Sequence, residues 1–313
     1  MAGKQNPTKK QHYVPCCYLQ FFAEAGSWEK GRNTKIFFTD GKKSLSVPVK
    51  ELAREDHAYS KDFPEFDKEF EAMETSYPPI IRKIMNNQVL TRLEYYGLMM
   101  TMVDLNLRNI AYEKRTKAER RVVYEAISRS MNADMFAEAR GAGTDNRGIL
   151  EWVVKHWRVQ PLMPETEEKF ITSDNPSAIY GEARTGRPVL VYLPVHPKYA
   201  VIAFDNRFLR VTSNLVTDDA LGVLNGLQVN HCVKHVFSDH DLLEGDERHK
   251  LIGLLNKEKP LRYVDDNEWR RSFMSIASPA FDRFTFLKKI RPINATLQKA
   301  IRKVLNQRSR RPN

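Results

Sequence analysis

"PVLVYLPVHPKYAVIAFD", residues 188–205, holds two runs of β-branched and aromatic residues parted by His196-Pro197-Lys198. Both runs are short and both are bounded by Pro or charged residues. That is the pattern of strands, not of a helix long enough to bury a face. Runs of the same kind precede them, "WRVQPLMP" (157–164) and "EKFITSDNPSAIY" (168–180), and "KHVFS" (234–238) follows. The downstream half therefore reads as a sheet, with flanking helices expected over about 217–230 and near 239–256.

Upstream the period changes. Phe66, Phe70, Met73 and Tyr77 recur at helical spacing, Pro78-Pro79 is expected to bend or interrupt the run, and Ile80 and Ile84 resume it. Leu93, Tyr96, Met100, Val103, Leu107 and Ile110 predict a second helix, and a more charged one follows over roughly 113–140. "RGAGTDNRG" (140–148) is a loop. Before the helices, "KIFFTDGKKSLSVPV" (35–49) reads as a hairpin turning at Asp40-Gly41. At the far end "INATLQKAIRKVLNQ" (293–307) is amphipathic, with Leu297, Ile301 and Val304 on one side. The expected fold is α+β: an N-terminal hairpin, a central helical segment at about 65–140, then a mixed or antiparallel sheet with flanking helices. One domain is expected over 11–290, between a basic leader (1–10) and a basic C-terminal helix and tail (291–313).

The chain is 42% hydrophobic with a mean hydropathy of −0.53. No apolar run approaches the roughly 18 residues that span a bilayer, and "MAGKQNPTKKQ" lacks the apolar stretch of a signal peptide. Cys16, Cys17 and Cys232 cannot make a disulfide framework, so a reducing, cytoplasmic setting and no membrane partner are expected. The net charge of +11 is unevenly placed. Ten basic residues and no acid follow Asp282, and Lys4, Lys9 and Lys10 precede the first acid, leaving 37 basic and 39 acidic residues between. Basic ends on a near-neutral body attract polyanions without shape specificity, so nucleic acid is an expected partner through the tails. A merely solubilising tail is the alternative.

Two segments concentrate polar groups among aromatic ones. In "QHYVPCCYLQFF" (11–22), Pro15 holds Val14 out of the helical region, and Tyr18, Leu19, Phe21 and Phe22 are expected to begin a short buried helix. His12 is then a metal ligand, a general base or a core histidine. In "FITSDNP" (170–176), Ser173, Asp174 and Asn175 either stabilise a turn through side-chain bonds to backbone or offer oxygen ligands and a carboxylate for proton transfer. Asp67, Glu71 and Glu74 share a helical stripe, which is either a solvated face or a cation-binding one. Arg108, four residues after Asp104, is either an ion-pair partner or a phosphate clamp. His231-Cys232-x-x-His235 lacks a second ligand pair at zinc spacing, and no GxGxxG, GxxxxGK[ST], GxSxG or HExxH occurs.

"QHYVPCCYLQFF", "FDKEFEAMETSYPPIIRKI", "LNLRN" and "KFITSDNPSAIY", in that order, resemble the bacterial and phage family known as domain of unknown function 4238. Its members open with a His-Tyr-Val-Pro box and carry a Phe-Ile-Thr-Ser-Asp-Asn-Pro box past mid-chain. The resemblance covers roughly residues 10–240 and implies membership rather than an activity. The vicinal cysteines stand where the box has more ordinary residues, so it implies no role for them.

The leading expectation is a metal-assisted hydrolase of nucleic acid or another phosphate ester, a chemistry compatible with a defence or toxin effector. His12, Glu74, Asp174 and Arg108 are the expected catalytic residues. His12, Asp67, Glu74 and Asp174 would hold Mg²⁺ or Mn²⁺, and Tyr13, Ser173, Asn175 and Asn225 would contact substrate. The rival is a non-enzymatic module that binds nucleic acid or protein.

Overall fold

A computed structural model of the chain describes residues 10–23, 27–56, 66–107, 155–182, 188–211, 213–244, 277–279 and 290–292. In chain order these residues form β1 (Lys10–His12), α1 (Cys16–Leu19), β2 (Lys35–Thr39), β3 (Ser44–Pro48), β4 (Arg54–Asp56), α2 (Phe66–Met85), α3 (Arg92–Leu107), β5 (Trp157–Pro164), β6 (Thr172–Ser173), β7 (Ala178–Glu182), β8 (Pro188–His196), β9 (Tyr199–Asp205), β10 (Leu209–Val211), β11 (Leu215–Val216), α4 (Asp218–His231), β12 (Val236–Ser238), β13 (Ala277–Pro279) and β14 (Ile290–Pro292). The fold is α+β, as the residue patterns predict.

The run at 188–205 becomes β8 and β9, the centre of a six-stranded sheet ordered β11-β5-β9-β8-β7-β14. All its pairs are antiparallel except β11 with β5. Successive strand residues point to opposite faces, and here both faces are buried. Val191, Leu193, Val195, Val201 and Ala203 join one core with residues of α1, α2 and α3. Leu190, Tyr192, Ala200, Ile202 and Phe204 join a second core with Ala220, Leu221, Leu224 and Leu227 of α4. A layer on each side explains why the run is continuously apolar instead of alternating. β14 lies at the sheet edge against β7, so Arg291, at the start of the expected tail, occupies a strand.

The second sheet, β3-β2-β12-β6, contains the expected hairpin. Asp40 Oδ1 accepts from the Lys42 and Lys43 amides at 2.9 and 3.0 Å, and Gly41 takes the positive φ (85°) that the tight turn needs. β12 then joins the hairpin to β6, tying the N-terminal strands to the Phe-Ile-Thr-Ser-Asp-Asn-Pro segment.

α2 runs through Pro78 and Pro79 without a break, contrary to the expected bend or interruption. Each proline lacks an amide donor, but Tyr77, Ile80, Ile81 and Ile84 are buried in the core shared with α1 and α3, and this packing holds the helix together. α3 opens with a reciprocal cap. Glu94 accepts from the Thr91 amide at 2.9 Å, the Glu94 amide reaches Thr91 Oγ1 at 3.3 Å, and Lys83 on α2 pairs with Glu94 at 2.6 Å. The buried face of α3 is Leu98, Met99, Met102 and Leu105. Leu93, expected on the inward stripe, is 70% exposed in the first turn.

Thr217 caps α4 by accepting from the Ala220 amide at 3.3 Å, at the expected helix start. Residues 239–244 form bends and turns, not the start of the helix expected near 239–256. The rest of that helix, the helix at 113–140, the loop at 140–148 and the C-terminal helix lie outside the described residues. Among the described residues no helix is long and apolar enough to cross a membrane.

Candidate functional site

β1 pairs antiparallel with β4, placing His12 opposite Arg54. The Tyr13 amide donates to Ala53 O at 2.9 Å, and Ala53 adopts a left-handed φ of 47°, uncommon for a residue with a Cβ. This turn brings the Leu52 carbonyl within 3.0 Å of His12 Nδ1. A carbonyl only accepts, so Nδ1 carries the proton and Nε2 is left as the basic nitrogen. Pro15, extended at φ −61°, ψ 140°, starts α1 immediately afterwards. Cys16 thereby comes back over the ring, with Sγ 3.3 Å from Nε2. The sulfur also lies 3.7 Å from Val49 O.

Three charged side chains act on this pair. Burial dominates, lowering the His12 pKa and lifting the Cys16 thiol to about 11. Arg32 and Arg54 pull both downward, whereas Glu74 on α2 pushes both upward. At neutral pH the resting pair is therefore an uncharged thiol donating to an uncharged imidazole. Arg54 also pairs with Glu51, and exposed Arg32 follows Gly31 at a kink with φ 55°, ψ −127°. A Cβ at Gly31 would meet open space, so the glycine is needed for its backbone angles rather than for room.

The aromatic half of the box is a core element. Tyr18 and Leu19 in α1 and Phe21 and Phe22 just after it are all buried, and the Tyr77 ring on α2 lies 5.8 Å from that of Tyr18 and 6.1 Å from that of Phe21. Tyr13, expected to contact substrate, belongs to the same core at 4% exposure. Tyr18 Oη joins the two sequence boxes directly: it donates to Pro194 O at 2.7 Å and shares a hydrogen bond with Thr172 Oγ1 at 2.6 Å.

The second box is a buried joint. Asp174 Oδ1 accepts from the Val233 amide at 2.7 Å, and Oδ2 accepts from the Lys234 and His235 amides at 2.7 and 3.0 Å. Its own amide donates to His235 O. Ser173 Oγ donates to Gln228 Oε1, whose amide group reaches Pro176 O, and Asn175 Nδ2 donates to His231 O. Ser173, Asp174 and Asn175 are at most 5% exposed. Asp174, expected to be catalytic and to hold metal, and Ser173 and Asn175, expected to contact substrate, fasten β6 to α4 and to the turn before β12. Asn225 likewise clamps backbone, accepting from Ile171 N at 3.1 Å and donating to Lys169 O at 2.8 Å. It also lines an open cleft of about 740 Å³ with Lys169, Gly222, Gly226 and Leu242.

Of the residues expected to meet, Glu74 lies within electrostatic reach of His12, and Asp174 bonds to backbone amides elsewhere. Glu71, one turn before Glu74, is exposed. Arg108 and the side chain of Asp67 lie outside the described residues. Among the described residues no group of three or more His, Cys, Asp or Glu side chains could hold a metal. Cys16 was given no role by the sequence, and Arg32 and Arg54 were not anticipated. The four-residue step from His12 to Cys16 across Pro15 was a usable signal for the first; nothing local announces the arginines.

No curated protein and no solved structure matches the chain. A family model described as protein of unknown function, DUF4238, matches residues 10–241 and so takes in both boxes, α2, α3 and α4; the chain belongs to that family.

Proposed function

We propose that the chain hydrolyses a phosphate ester, nucleic acid being the expected substrate, at a site centred on His12. One observation carries this reading: Leu52 O engages Nδ1, which leaves Nε2 as a base in the electrostatic reach of Arg32, Arg54 and Glu74. A fixed base abstracts a proton from the attacking group, and guanidinium groups offset charge on phosphoryl oxygens. Two arginines against one glutamate favour an anion near His12. Where Mg²⁺ or Mn²⁺ takes part, Glu74 on α2 is the described carboxylate that acts on His12. The basic ends would attract a nucleic acid.

The test uses purified protein with single- and double-stranded RNA and DNA and with bis(p-nitrophenyl) phosphate, in EDTA, Mg²⁺ or Mn²⁺. Turnover that falls at least 100-fold in His12→Ala, with its melting temperature checked in parallel, is expected from the loss of a general base (about 10²–10⁴). Equal turnover in the variant, or none in the wild type under any condition, overturns the reading. The uneven charge favours one alternative, a nucleic-acid-binding module. Salt-sensitive binding without turnover, weakened by deleting 306–313, identifies it.

A further inference from the structure

We propose that Cys16 is the nucleophile of this site and carries the transferred phosphoryl group on its sulfur, with His12 moving the proton. The proposal rests on the phosphate-ester reading for its substrate, but the thiol–imidazole pair stands on its own geometry. Sγ is 3.3 Å from Nε2, and the ring is oriented by a third group, the Leu52 carbonyl at 3.0 Å from Nδ1. A nucleophile, a base in hydrogen-bond reach and an orienter of the base are the minimal set for covalent catalysis. Both members feel the same two guanidinium groups, which attract an anion, and the same carboxylate, which opposes it. Cys17, next in sequence and partly exposed, serves as an internal control.

The step balances as follows. The Cys16 S–H proton passes to His12 Nε2 as Sγ attacks phosphorus; the S–P bond forms and the bond from phosphorus to the ester oxygen breaks. The leaving alkoxide takes the proton from Nε2. Water then attacks phosphorus and gives a proton to Nε2, the S–P bond breaks with its electron pair returning to sulfur, and sulfur takes that proton back. Water and ester are consumed, an alcohol and phosphate (a phosphate monoester where the substrate is a diester) are released, and neither Cys16 nor His12 is changed. Cys16 is 5% exposed and its thiol is held protonated by burial, so proton transfer accompanies attack instead of preceding it.

The experiment alkylates the folded full-length protein with iodoacetamide near pH 7.5 and locates the adduct by tandem mass spectrometry. Wild type is compared with His12→Gln and His12→Asn, with and without orthovanadate, a phosphate mimic that esterifies thiolates. Expected are modification of Cys16 in the native protein, at least a tenfold slower rate in the histidine variants with Cys17 unchanged, and protection by vanadate. A Cys16 that reacts only after unfolding, or equally fast without His12, overturns the proposal. Faster Cys17 labelling in both variants would mean that they unfold; vanadate protection in the wild type then decides, its absence counting against the nucleophile. His12-dependent reactivity without vanadate protection keeps the nucleophile and overturns the phosphate-ester reading.

Discussion

Replacing Asp174 by Ala should damage the fold, whatever it does to activity. The carboxylate accepts three backbone amides, from Val233, Lys234 and His235, at 2.7, 2.7 and 3.0 Å, and the residue is 1% exposed. A hydrogen bond to a charged group contributes about 1.5–3 kcal/mol, and a buried donor left without a partner loses its solvation as well. The three bonds share one carboxylate, and Lys234 is exposed, so water can re-solvate part of the turn. The sum is thus discounted to about 3–4 kcal/mol. At roughly 2–4 °C per kcal/mol for a domain of this order of size, the melting temperature should fall by about 6–16 °C. Asp174→Asn keeps the shape but turns an NH₂ group toward amide donors, and should lose at least half as much. Urea unfolding followed by circular dichroism at unchanged slope measures both. A variant within about 0.5 kcal/mol of wild type that has nonetheless lost its activity would refute the structural role and restore the catalytic one.

Tyr18→Phe removes the hydroxyl that joins the two boxes, leaving Pro194 O and Thr172 Oγ1 without it; a loss of about 1–3 kcal/mol in the same urea titration is expected, and no shift would mean that the joint is not formed. Stability should also fall on acidification through His196. Its Nδ1 accepts from the Lys198 amide at 3.0 Å, and burial pushes its pKa down to about 4 from 6.5. The unfolded chain therefore binds the proton first, and stability is lost as pH falls from about 6.5 through about 4. His196→Asn, whose Oδ1 can still accept from Lys198, should flatten the unfolding midpoint over that window; an unchanged pH profile would remove His196 as its source.

Local chemistry made much of the architecture legible. The apolar runs of β5, β8 and β9, the Asp40-Gly41 hairpin, the start of α4 at Thr217 and the buried aromatics after Pro15 each follow from residues within a turn or two of one another. Period, turn chemistry and capping are short-range effects, so a sequence carries them openly. What a polar side chain does depends on which backbone lies beside it, and only the tertiary structure supplies that. Asp174 meets amides 59 to 61 positions away, and this turns an apparent catalytic carboxylate into a clamp. The Leu52 carbonyl, 40 positions from His12, decides which ring nitrogen is basic, and β1–β4 pairing brings Arg54 to it. α2 passes through Pro78-Pro79 because burial of its inward face outweighs two missing amide donors, a balance invisible to local propensity. The sequence by itself determined which segments are strands, helices and aromatic anchors, because those preferences are written in neighbouring residues. The tertiary structure alone decided which polar groups bind backbone and which gather around His12, because hydrogen bonds and charges act between atoms that distant parts of the chain bring together.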